Sequence, residues 1–274
     1  MGTNNSRKTD AWFYAIFGSY LAVGVFLHLS YALDIKGLSG IWRNVSYIVE
    51  IIAGLVGFAA AFFFATVAAR IKRGAEKTIS IMITLTSIFF GAAIALVGIL
   101  FKFAGDEALT HSFLTPGNLI PLGGFLLASI AAVIAIVILI RNSYRIMSRT
   151  QLIVTVIISL VILGAFVALF FTKLLGIELG GVVKIASLFL ALVCIFASVG
   201  MVFAITAFGK GRGGNFWRDL SVGILLIAVS GLGFFFCLAL KADLWKGLPI
   251  MGFAAGISFI AHAGYLRWRR LRRK

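Results

Sequence analysis

Acidic side chains are scarce in this sequence: nine Asp and Glu stand beside 25 Lys and Arg in 274 residues, a net charge of +16. Charge of either sign is also thin, at 12% against the roughly 25% of an ordinary soluble domain. That is too little to cover the water-facing surface of a soluble protein of this size. Cysteine occurs twice, as Cys194 and Cys237. Both fall in apolar runs with no CxxC or Cys/His partner at ligand spacing, so they read as small packing residues rather than a disulfide framework or a zinc site. Three histidines are too few to expect bis-histidine haem ligation in a bundle. No DxxxD, HxxxH, HExxH, GxSxG or paired-glutamate pattern appears, and no loop is long enough for a soluble catalytic or nucleotide-binding domain. The expectation is a protein that is not an enzyme, without catalytic residues, metal or cofactor.

What is abundant is apolar sequence. Hydrophobic residues make up 61% of the chain and the mean hydropathy is +1.08. Apolar runs of about 20 residues, the length that crosses a hydrocarbon core of roughly 30 Å, recur from end to end. They predict an all-α integral membrane protein of about eight transmembrane helices, over 11–33, 45–69, 79–103, 119–140, 151–172, 182–208, 220–240 and 247–266. The polar residues 1–10 run into the first span without a small-residue cleavage site, so that span is expected to be retained.

The short segments between the spans set the orientation. Arg7, Lys8, Arg70, Lys72, Arg73, Lys77, Arg141, Arg145, Arg149, Lys210, Arg212, Arg218 and the tail from Arg267 to Lys274 fall on one side, 18 of the 25 basic residues. The other side holds Lys36, Arg43, Lys102, Lys173, Lys184, Lys241 and Lys246, with Asp34, Asp106, Glu107, Glu178 and Asp243. The positive-inside rule makes the first side cytoplasmic, with both termini there and the plasma membrane as the expected location. The tail carries Arg267, Arg269, Arg270, Arg272, Arg273 and Lys274 directly after a span. It reads as an anchor for anionic lipid headgroups, about 1 kcal/mol per residue near the surface, and not as a nucleic-acid site.

A shift of 140 residues sets Gly24 on Gly164, Phe63 on Phe203, Thr66 on Thr206, Arg70 on Lys210 and Gly91 on Gly231. A shift of 128 sets Pro121, Gly124 and Phe125 on Pro249, Gly252 and Phe253, and Arg141 and Arg145 on Arg269 and Arg273. These matches predict a tandem duplication of four helices: a cytoplasmic segment 1–10, a first repeat 11–145, a second repeat 146–266 and a basic tail 267–274. Four spans per repeat give both halves the same orientation, an arrangement in which some transporters place a site between the halves.

Ionisable residues inside the apolar runs are few, and each is by default a functional candidate. Glu50 is the only acid within these spans, and His28 and His262 are the only histidines. At 1.5 Å per residue, His28 near the end of the first span and Glu50 near the start of the second lie at the same depth, roughly 8 Å below the outer surface. Tyr31 and Tyr47 fall three residues away on the same two helices, and Lys102 approaches from the third. His28, Tyr31, Tyr47, Glu50 and Lys102 therefore form a candidate site for a cation, a protonatable substrate or a proton. The alternative is that Glu50 hydrates at the interface among ordinary belt tyrosines. His262, near the cytoplasmic end of the last span, reads as an interfacial residue among the arginines.

Glycine is plentiful, at 30 residues. Gly54 with Gly57, Gly91 with Gly98, and Gly252 with Gly256 in a GxxxG suit close helix packing. Pro121 and Pro249 read as helix starts. The glycine-rich Gly209 to Gly214 lacks P-loop spacing and a preceding strand, and reads as a linker. Two functions fit these features. One is a small transporter or permease-like protein for a cation or small solute. The other is a non-catalytic structural or regulatory subunit whose glycine faces dock a membrane partner or a second copy of the chain.

Overall fold

The computed structural model describes residues 39–104, 116–143, 214–239 and 247–272, with residues 22–26, 148–150 and isolated positions elsewhere. Five helices organise them: α1 over Ser39–Arg70, α2 over Ala75–Ala104, α3 over Pro116–Ser143, α4 over Gly214–Ala239 and α5 over Gly247–Arg272. No strand occurs among the described residues. Three stretches, Tyr47–Arg70, Ala75–Ile99 and Leu248–Arg272, are long and apolar enough to cross a membrane. On that ground we read the chain as an all-helical membrane protein. The runs 151–172 and 182–208, on which the eight-span count and the duplication depend, lie almost wholly outside the described residues.

Each helix continues past the apolar run that announces it. The last run ends near residue 266, yet α5 extends to Arg272. In hydrocarbon every backbone N–H and C=O must be paired within its own segment, so the helix has no reason to stop where the side chains turn polar. Arg269, Arg270 and Arg272 in its last turn also face the negative end of the helix dipole. Between α1 and α2 the chain reverses within residues 71–74. Gly74 stands at φ +122°, a conformation that side chains with a Cβ rarely adopt. Its carbonyl accepts the N–H of Lys77 at 3.1 Å and of Thr78 at 3.4 Å, capping the start of α2.

α1 packs against α2 and α5, α2 against α3, and α4 against α5. Two contacts fix the relation of α2 to α5. Arg267 bonds Glu76, and the rings of Phe90 and Phe253 lie 5.3 Å apart. Both intervals span 14 residues in opposite directions, so the two helices are antiparallel. Phe63 meets Tyr265 and Trp268 at 5.7 and 5.8 Å; since Gly57 lies on Gly91 and Glu50 on Gly98, α1 is antiparallel to α2 and therefore parallel to α5. Of the first predicted span, Gly24 faces Met251 of α5.

The core is built from small and branched residues, with Ala60, Phe64, Ile257 and Ala263 fully enclosed. Outward faces are equally apolar. Leu127, Ile130, Ile134 and Val137 are exposed along one stripe of α3, and Ile48, Ile52, Leu55 and Phe62 along one of α1. A helix apolar on both its packed and its open face fits lipid as the surrounding solvent. Hydroxyl groups are handled locally: Thr66, Thr84, Thr86 and Ser258 each donate to the carbonyl four residues earlier.

Candidate functional site

Among the described residues, two ionisable sites lie inside the bundle, near its opposite ends. The first is on the seam between α1 and α2, where small residues face each other along both helices. A methyl group placed on Gly57 would stand 2.8 Å from the Cα of Gly91, and one on Gly54 would stand 2.8 Å from the Gly91 carbonyl oxygen. The backbones are therefore nearly in contact. One end of this seam holds Glu50, only 1% exposed. Its side chain fills the space above Gly98, where a methyl group would stand 2.9 Å from the Glu50 Cβ, 3.2 Å from Oε2 and 3.0 Å from the Tyr47 carbonyl oxygen.

Neither carboxylate oxygen of Glu50 has a hydrogen-bond partner among the described residues. An ionised carboxylate left this way costs several kcal/mol, so the side chain demands a proton or a cation. The Ser87 hydroxyl, also wholly buried, is likewise without a partner among the described residues. Its backbone carbonyl faces Gly57. Two buried polar groups in need of a partner thus share one seam. They are separated by the 11 residues from Ser87 to Gly98, about 16 Å of helix.

The second position lies at the arginine-bearing end. Asp219, in the second turn of α4, is fully buried, and its Oδ2 lies 2.8 Å from Nδ1 of His262 on α5. The other oxygen, Oδ1, accepts the Nε–H of Arg218 at 3.0 Å. Arg218 has half its side chain exposed, whereas those of Asp219 and His262 are 1% and 4% exposed. The carboxylate therefore joins a guanidinium at the surface to an imidazole in the interior. Tyr265 stacks on His262 at 6.5 Å, and Arg267, one turn further along α5, bonds Glu76 of α2.

No protein-family model, curated protein or solved structure matches the chain.

Of the residues singled out from sequence, Glu50 and Tyr47 are neighbours on α1, and Lys102 is placed one turn beyond Gly98 in the last turn of α2. His28 and Tyr31 lie outside the described residues. Gly252 and Gly256 face α4: Gly252 meets Ser230, and a methyl group on Gly256 would stand 2.7 Å from the Gly223 carbonyl oxygen. In the basic tail, Arg267 is engaged by Glu76, and the Arg272 guanidinium lies 5.4 Å from the Trp268 ring. Arg270 is exposed, Arg269 is half-buried, and Arg273 and Lys274 lie outside the described residues.

One expectation changes. His262 is not an interfacial residue among arginines; it is 5% exposed and bonded to an acid. The reason is Asp219, which the sequence hides because the apolar run of that helix begins one residue later, at Leu220. The helix itself begins at Gly214 and carries Asp219 into the bundle. The usable signal is an acid at the threshold of one run and a histidine near the matching end of the next.

Proposed function

We propose that the chain is a small multi-pass membrane transporter of permease type, which binds a proton or small cation at Glu50. The observation that carries this reading is the Glu50 carboxylate itself, enclosed in a bilayer-spanning helix with no partner among the described residues. Evolution rarely keeps an acid at such a position for packing, since an apolar residue would fill the space above Gly98 without the cost of burying a charge or an unpartnered polar group. A carboxylate that must be neutralised to sit where it does is a binding site for whatever neutralises it. The 20 residues between Glu50 and Arg70 place it about 30 Å from the basic end of α1. That puts it near the opposite surface, within reach of solutes arriving there.

The alternative of a docking subunit asks for a glycine-rich helix face open to a partner. Gly54, Gly57, Gly91, Gly252 and Gly256 all face neighbouring helices of the same chain, which favours the transport reading. With the basic loops facing the cytoplasm, Glu50 loads from the outside of the plasma membrane.

The test is a pH-dye measurement on purified protein in liposomes, adding inorganic cations and then small organic amines, for wild type and Glu50→Gln. Proton release on addition of one of these, absent from the variant, is the expected result. A wild-type protein that releases no proton with any of them, or a variant that responds as wild type does, would overturn the reading.

A further inference from the structure

Glu50 accounts for one end of the bundle only. At the other end Asp219 and His262 make a second buried ionisable site that the proposed role of Glu50 does not use. The two sites are separated along the helix axes. Gly264, half a turn from His262, packs against Phe63 and Phe64 of α1, and Phe63 is 13 residues from Glu50, about 20 Å. We propose that the Asp219–His262 pair is a proton-binding site serving the basic face of the membrane, so that the molecule takes up and releases protons at two depths.

The geometry suits this chemistry in three ways. With the carboxylate ionised, Nδ1 of His262 donates to Oδ2 of Asp219 across 2.8 Å, which fixes the ring's tautomer. A proton taken up by the pair then gives an imidazolium already held beside a carboxylate. Its release restores the starting state, and no bond between heavy atoms changes. Arg218, half-exposed, holds Oδ1 from the surface side, so the carboxylate is anchored while the imidazole takes and gives the proton.

The surroundings are mostly apolar. α1 brings Phe63 and Phe64 to this end, and Phe64 lies 6.2 Å from Phe216, one turn before Asp219. Among the described residues the nearby ionisable groups are Arg218 on α4, Tyr265 stacked on His262, and the Arg267–Glu76 pair where α2 begins. A purely architectural link between α4 and α5 would need no ionisable members. Gly223 and Gly256 already bring these two helices into close contact one turn deeper.

This inference rests on the transport reading, and sidedness separates the two. The full chain is reconstituted in uniform orientation on a solid-supported membrane, and the charge displaced by a rapid acid jump is recorded on each face. In wild type, both faces respond. In Asp219→Asn, which keeps the size and the hydrogen bond to His262 but removes the charge, the response at the basic face is lost and that at the opposite face remains. Glu50→Gln gives the converse. His262→Gln repeats the Asp219→Asn pattern and serves in its place should that variant fail to fold.

An undiminished basic-face response in both Asp219→Asn and His262→Gln overturns the inference and leaves Glu50 untouched. An undiminished opposite-face response in Glu50→Gln overturns the transport reading instead.

Discussion

Glu50, Asp219 and His262, the ionisable residues buried among those described, differ in how their charge is met. Asp219 has a guanidinium on one oxygen and an imidazole nitrogen on the other, whereas the Glu50 carboxylate has no partner among the described residues. The Arg267–Glu76 pair makes the opposite comparison. Its side chains are 27% and 37% exposed, so water screens their attraction. A double-mutant cycle on Arg267→Ala and Glu76→Ala is expected to return a coupling of no more than about 1 kcal/mol, read from unfolding in mild detergent. A coupling several times larger would mean that this contact, and not the packing of Phe90 on Phe253, ties α2 to α5.

Glu50 was legible in the sequence as a candidate because it is the only acid within the predicted apolar runs, although its place near the start of a run also allowed hydration at the interface. Asp219 was not, because an acid beside an arginine at the edge of a run looks solvated. Only the three-dimensional return of α5 brings His262 to it.

At the scale of the helix, sequence and structure agree best where apolar length decides the outcome. The run 45–69 became α1, and 79–103 became α2, each lengthened at both ends. Hydropathy marks where hydrocarbon begins, and backbone hydrogen bonding decides where the helix ends; the two are set by different forces. Partner choice was hidden, because glycines announce closeness without saying to what.

The structure answers for α1 and α2. A leucine at position 57 would drive into the backbone of Gly91. Gly57→Leu is therefore expected to lower stability by about 1–3 kcal/mol, the usual cost of forcing a larger group into a packed interface. The check is the shift in the thermal unfolding midpoint. At Gly123 an added methyl group would meet nothing within 4 Å, so this position should accept alanine with little change. Equal tolerance at both positions would contradict the packing described for the seam.

For the whole molecule the governing asymmetry is charge. The loop between α1 and α2 and the end of α5 lie together through Arg267 and Glu76, so Arg70, Lys72, Arg73, Arg269, Arg270 and Arg272 gather at one end of the bundle. In a cysteine-free background, Lys72→Cys is expected to react with a membrane-impermeant maleimide in inverted vesicles and not in intact cells. Labelling from outside would reverse the assignment of every face made above.

The near contact of Gly57 with Gly91 has a further consequence. Two backbones separated by less than the thickness of a methyl group cannot slide past each other or admit water without first coming apart. α1 and α2 therefore behave as one plank, with Glu50 fixed near its edge. On the proposed transport role, any opening that exposes the carboxylate to solution must come from the rest of the molecule moving against that plank.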